Sequence, residues 1–166
     1  MSRAFVKEED DAASGEIADL PQSPHPNYVT PGGLAQLRTR LAEAQEKRRA
    51  LLAKKAGVEG DLPLANIGRE IRYLETRIAR AIPIEPTAQP RDEVAFGAVV
   101  RVADAAGAER EFAIVGEDEA DAGHGRISWV SPLARALLGA QVGDEIVWHR
   151  PAGDLMLEVR AISYGA

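Results

Sequence analysis

Two rhythms of apolar residues divide the chain. Leu34, Leu37, Leu41, Ala44 and Leu51 recur at helical spacing of three and four, with Arg48 standing on the same seam. A second series, Leu64, Ile67, Ile71, Leu74, Ile78 and Ala81, holds that spacing without a break. Thr30 is a good N-cap, and Pro31 suits a first helical position, where its missing N–H would be unpaired anyway. Gly57 and Gly60 stop the first helix, and Pro63 can open the second. Pro83 and Pro86 end the second near Ile82. Two amphipathic helices around a short Gly-containing loop predict an antiparallel hairpin of coiled-coil type over residues 28–82.

Beyond residue 93 the period becomes that of strands. Residues 94–102, 111–115, 125–130, 145–149 and 155–163 are short, β-branched or aromatic, and separated by Gly, Asp or Pro. Residues 131–139 interrupt them with Ser131 as cap, Pro132 as start and Gly139 as stop, which predicts one short helix. The fold class is therefore α+β: a helical hairpin, a linker over 83–93, and an antiparallel sheet carrying one helix over 94–166. Trp129 and Trp148 fall in strand-like runs and are expected in the core.

Residues 1–27 combine Glu8, Glu9, Asp10 and Asp11 with three prolines and few large apolar side chains. Such a segment buries too little surface to offset its ordering, and a disordered acidic tail is expected. No apolar run approaches the roughly 18 residues that cross a bilayer. The acidic N-terminus also lacks a signal peptide's apolar stretch. A cytoplasmic protein with no membrane partner is the expectation. The absence of cysteine excludes disulfides and thiolate metal sites.

The net charge of −6 conceals an asymmetry. Residues 1–27 carry two basic and six acidic side chains, residues 28–82 eleven and six, and residues 83–166 seven and fourteen. A basic middle between acidic ends points to a polyanion at the hairpin, although charges on a long helix are also simply solvated. His25, His124 and His149 have no metal-ligand spacing, and neither a P-loop nor a nucleophile elbow is present. Glu117, Asp118, Glu119 and Asp121 do not follow the twelve-residue calcium loop and read as a solvated turn.

Several ordered runs resemble the GreA/GreB transcript-cleavage factors. They are Val94-Ala95-Phe96-Gly97-Ala98, the acidic turn from Ile114 to Asp121, and the segment from Ile127 to Gly139 with its Ser131-Pro132-Leu133-Ala134-Arg135-Ala136-Leu137 core. Gly143-Asp144, Pro151-Ala152-Gly153 and the helix start Val29-Thr30-Pro31-Gly32-Gly33-Leu34 follow the same order, so the resemblance covers about residues 28–164. It implies an FKBP-like second domain docking on bacterial RNA polymerase at its secondary channel, with a hairpin reaching towards the polymerase active site. There the factor, not itself an enzyme, stimulates the polymerase to cleave backtracked RNA. A monomer is expected, with no cofactor of its own.

By that resemblance Glu117, Asp118, Glu119, Asp121, Ser131, Pro132 and Arg135 belong to the docking surface. The basic residues Arg38, Lys47, Arg49, Lys54 and Lys55 would meet the nascent RNA 3′ end through charge-driven, sequence-blind contacts. The family tip places functional acids at an Asp and at a Glu three residues later. Here Gly60-Asp61-Leu62 matches its start, but Leu64 occupies the Glu position, and both helices are shortened by close to one heptad in total. Two readings follow. Either Asp61 and Glu59 together hold a Mg²⁺ shared with the polymerase active site, hard carboxylate oxygens suiting that ion, or the tip regulates polymerase from the channel without cleavage. A third class, an adaptor dimerising through the hairpin seam, is tested by its oligomeric state.

Overall fold

The computed structural model describes residues 17–54 and 61–165. Strand β1 (Asn27–Val29) leads into helix α1 (Pro31–Ala53), which is followed by α2 (Asp61–Ala79) and strand β2 (Ala81–Pro83). The Thr30 hydroxyl caps α1 by accepting from Gly33 N at 3.0 Å. The two helices pack through Leu37, Ala44, Ile67, Ile71 and Leu74, all buried, with Leu34, Leu41, Leu51 and Ile78 along their flanks. Both apolar rhythms of the sequence therefore face each other across one seam. Arg48, expected on that seam, is exposed instead, beside Gln45, Arg49 and Leu52. Solvating the guanidinium avoids the cost of burying an unpaired charge.

The second helix stops at Ala79, three residues before the expected end. Residues 81–83 pair in parallel with 27–29, and Ile84 N donates to Val29 O at 2.9 Å. This small ribbon closes the base of the hairpin, a long-range pairing that local periodicity does not encode. The described part of the N-terminal segment also departs from the expected tail. Asp19 pairs with Arg72 at 2.7 Å, the Gln22 amide reaches Tyr73 O at 3.5 Å, and the His25 ring meets the edge of Trp129 at 5.9 Å. Its ordering comes from polar and aromatic contacts with the folded domains rather than from a core of its own.

The linker holds a short 3-10 turn (Pro86–Ala88), and Gln89 Nε2 donates to Phe96 O at 3.0 Å. Beyond it come β3 (Ala98–Ala103), β4 (Glu109–Val115), β5 (Arg126–Ser128), α3 (Pro132–Leu137), β6 (Glu145–Trp148) and β7 (Leu155–Tyr164). They form one sheet in the order β5-β4-β3-β7-β6. The sheet is mixed rather than wholly antiparallel, because β4 and β5 pair in parallel. Two 3-10 turns (Glu117–Glu119 and Ala122–His124) lie between those strands and turn the chain back to its starting edge.

The strand expected from residue 94 begins only at Ala98, after Gly97 with φ of 86°. In that left-handed conformation Gly97 breaks the strand without steric cost. Val94 pairs instead with the loop after α3, through Val94 N to Ala140 O at 2.8 Å and Gly139 N to Val94 O at 2.7 Å. The core lies between the sheet and α3, with Val100, Val102, Ile114, Leu137 and Val159 fully buried and both tryptophans packed at its margin.

Candidate functional site: hairpin tip, buried joint and docking groove

Of the two tip acids, Glu59 lies outside the described residues, while Asp61 is the first residue of α2. Leu64, expected on the seam, is half-buried beside Ile17 and Gly68 instead, and Leu62 is 61% exposed. Arg38, Lys47, Arg49 and Lys54 are exposed along α1, and Lys55 falls outside the described residues. Arg49 pairs with Glu46 one helical turn away, both well exposed, a contact that solvent keeps weak. Arg38, Lys47 and Lys54 thus present charge to any polyanion along the hairpin.

The acidic turn does something the sequence did not reveal. Each of its first three carboxylates is turned towards the hairpin or the N-terminal segment. Glu117 accepts from the Ser23 hydroxyl at 3.0 Å and lies 3.7 Å from the Arg77 guanidinium. Asp118 accepts from Arg77 Nε at 2.7 Å and from the Tyr73 hydroxyl at 3.0 Å. Glu119 accepts from the backbone N–H of Thr30 at 3.1 Å and of Gly116 at 3.2 Å, and from the Thr30 hydroxyl. Arg77 also donates to Asn27 Oδ1 at 2.6 Å, and Asn27 Nδ2 returns a bond to Arg77 O at 2.7 Å.

Three of these groups are interior. Asn27, Arg77 and Glu119 are the buried polar residues among those described. Burying such charges is tolerated only when they are paired and hydrogen-bonded, as they are here. Burial raises the Tyr73 phenol above its ordinary value, and the neighbouring Asp118 charge adds to the rise. Around this polar joint Tyr28 packs edge-on to Trp129 at 5.0 Å and tilts against Phe96 at 6.0 Å. The hairpin is therefore fastened to the sheet domain by both ion pairs and aromatic packing.

Of the first three acids assigned to a docking surface, Glu117 and Asp118 are partly exposed while bonded within the molecule, and Glu119 is buried. Glu119 is only 9% exposed and has its oxygens occupied within the molecule. Asp121 stands apart from them, partly exposed beside His124 and Arg126. Its hydrogen bond to His124, with help from Arg126, holds its carboxyl below the usual value. One signal for the joint was present in the sequence. Gly33, a glycine in the first turn of a helix, marks a place where another group approaches closely.

The remaining docking candidates gather elsewhere. The Ser131 hydroxyl caps α3 by accepting from Ala134 N at 3.3 Å, so it is committed to the helix. Pro132 and Arg135 are exposed and border a hollow of about 520 Å³, shared with Val130, Ala136, Val147 and His149. The hollow lies against β6, an edge strand of the sheet, and Val147 and Met156 add apolar surface at 36% and 52% exposure. An apolar hollow rimmed by Arg135 and His149 beside an open strand edge is suited to a protein partner.

No three histidine, aspartate or glutamate side chains gather to hold a metal among the described residues. No helix there is long and apolar enough to cross a membrane.

A helical hairpin joined to a mixed sheet with one short helix makes a two-part molecule with a tip, a basic flank and an apolar hollow. Residues 89–164 match the family profile described as "Transcription elongation factor, GreA/GreB, C-term". The chain is 34% identical over 153 residues to transcription elongation factor GreB of Neisseria meningitidis serogroup A, covering 83% of this chain and 94% of that protein. It is 37% identical to transcription elongation factor GreA of Rhizobium leguminosarum bv. trifolii, covering 82% and 96%. Among solved structures, GreA factor homolog 1 of Thermus thermophilus aligns over 84% of this chain and 99% of its own at 26% identity, with a TM-score of 0.39. The chain belongs to the GreA/GreB family of transcription elongation factors.

Proposed function

We propose that the protein is an accessory factor of bacterial RNA polymerase that stimulates the polymerase to cleave backtracked RNA. The observation that carries this reading is the joint between the two parts. Because Glu119, Asp118 and Arg77 fasten α1 and α2 to the sheet domain, the place where that domain docks determines where the hairpin tip stands. A hairpin whose longer helix has 23 residues extends roughly 35 Å at 1.5 Å per residue. In this reading the groove beside Pro132 and Arg135 seats on polymerase at its secondary channel, and the hairpin enters the channel.

At the tip, Asp61 and Glu59 flank Gly60 and offer two carboxylates, a donor set that fits Mg²⁺. An ion held between them and the polymerase would stabilise charge on the RNA phosphate and lower the pKa of an attacking water. The exposed cations Arg38, Lys47 and Lys54 would attract the phosphates of the RNA 3′ end, as would Arg49 and Lys55. Every reacting group other than these belongs to the polymerase.

The experiment is to stall polymerase in a backtracked state, add the protein and follow RNA length. Shortening above the intrinsic rate, abolished by Asp61→Ala with Glu59→Ala, is the expected result. Shortening that survives the double substitution means these acids are not the ligands.

A second reading, channel occupancy without cleavage, is favoured by Leu64, which puts a half-buried apolar residue where the family has an acid. It predicts competition with a cleavage-competent factor and no shortened RNA. An adaptor dimerising through its seam is disfavoured, because α2 already fills the seam of α1.

A further inference from the structure

A second, larger groove runs between the two helices on the tip side of the joint, and it has a volume of about 650 Å³. Its floor is apolar, built from Ala50, Leu51, Pro63 and Ile67. Its rim carries Arg40, Lys47 and Arg69 against the single acid Glu70. Among the described residues Arg69 Nε is buried without a hydrogen-bond partner, the kind of donor a carboxylate satisfies.

The N-terminal segment touches that groove at Leu20. From β1 it climbs α2, with Ser23 at Glu117, Gln22 at Tyr73, Asp19 at Arg72 and Leu20 in the wall of the groove. Ile17 then lies beside Leu64, Ala65 and Gly68 on the opposite flank of α2, within about two turns of its tip end, so the residues before it must pass back over the helix to enter the groove. Sixteen residues precede it, with the apolar pair Phe5-Val6 followed by Glu8, Glu9, Asp10 and Asp11. Ile17 stands twelve positions after Phe5, a reach of up to about 40 Å at 3.3 Å per residue. The groove, from Arg40 to Leu51, is only about 16 Å long.

We propose that residues 1–16 of this chain dock into the groove between α1 and α2, Phe5 and Val6 on the apolar floor and the acidic run against Arg40, Lys47 and Arg69. The segment is then an intramolecular competitor for the basic flank of the hairpin. It shields cations that would otherwise attract a phosphate backbone, and it does so at the high effective concentration that tethering supplies. Only the competition with RNA rests on the function proposed above; the docking itself does not.

The natural chain has no cysteine, so Ser2→Cys provides a single site for a nitroxide in the full-length protein. Paramagnetic broadening of the Leu51 and Ile67 methyl signals at low ionic strength is the expected result. It should persist on dilution and be relieved by salt, which screens exposed charge pairs. It should also be relieved by the combined substitution E8Q, E9Q, D10N and D11N. Absence of broadening overturns the proposal, as does broadening that survives those substitutions. Broadening that disappears on dilution assigns the groove to a second copy and overturns it equally. Lys47→Glu with Arg69→Glu should relieve the broadening from the groove side. In a separate arm, a short single-stranded RNA should bind the neutralised variant several-fold more tightly than the natural chain. Equal binding with docking intact removes the competition alone.

Discussion

The Glu119 carboxyl stands where a side chain on residue 33 would have to be: a Cβ built on Gly33 lies 2.0 Å from Glu119 Cδ and 2.3 Å from Oε2. The first turn of α1 and the acidic turn of the sheet domain thus interpenetrate at a single glycine. Gly33→Ala cannot be accommodated by moving a free side-chain end, because that end is bonded to Thr30 and Gly116. Although alanine favours helices, this substitution should destabilise the protein by about 1–3 kcal/mol. Urea denaturation of the two proteins measures it, and a stabilised variant would overturn the account of the joint.

Arg77 and Asp118 form the ion pair at the centre of the joint, with side chains 3% and 9% exposed. Removing the guanidinium alone leaves Asp118 buried without its partner, and Asn27 Oδ1 without a donor. Arg77→Ala should therefore cost about 3–5 kcal/mol. The apolar pair Arg77→Met with Asp118→Leu should cost clearly less than the sum of its single substitutions. A double-mutant cycle in chemical denaturation reads the difference.

Tyr73 ties the same joint to alkaline pH. Burial, followed by the charge and hydrogen bond of Asp118, places the folded phenol above its ordinary value of 10.0. The folded protein then holds this proton more tightly than the unfolded chain does. The corresponding stability is fully present below pH 10 and is lost as pH rises through the folded value. Stability should fall more steeply above pH 10 in the natural protein than in Tyr73→Phe. Parallel slopes for the two proteins would remove this linkage.

Two leucines of α2 separate seam from tip. Leu74 is fully buried between the helices, whereas Leu62 is 61% exposed. Leu74→Ala should cost about 2–5 kcal/mol through lost burial and the cavity left behind. Leu62→Ala should change stability by no more than about 0.5 kcal/mol. Thermal melts of both variants test the contrast, and equal losses would mean that the tip is packed as tightly as the seam.

Local pattern was enough for the helices, their seam and the capped α3, because three-to-four spacing, a Thr-Pro or Ser-Pro start and a Gly stop act between residues close in the chain. The strands from 111 onward were legible as short β-branched or aromatic runs bounded by Gly, Asp or Pro, and the ordered runs between 94 and 153 carried the family. Pairing at a distance was not. The parallel contacts of β1 with β2 and of β4 with β5 join segments whose composition does not specify their neighbours. The acids from Glu117 to Glu119 read as a solvated turn because charge alone predicts solvent. Only the tertiary structure brings Arg77, Tyr73, Asn27 and Thr30 within hydrogen-bond reach of them. Desolvating those carboxylates is tolerable only once their partners are in place. The sequence by itself determined a hairpin, a sheet domain and their family; the three-dimensional fold decided how the two are joined.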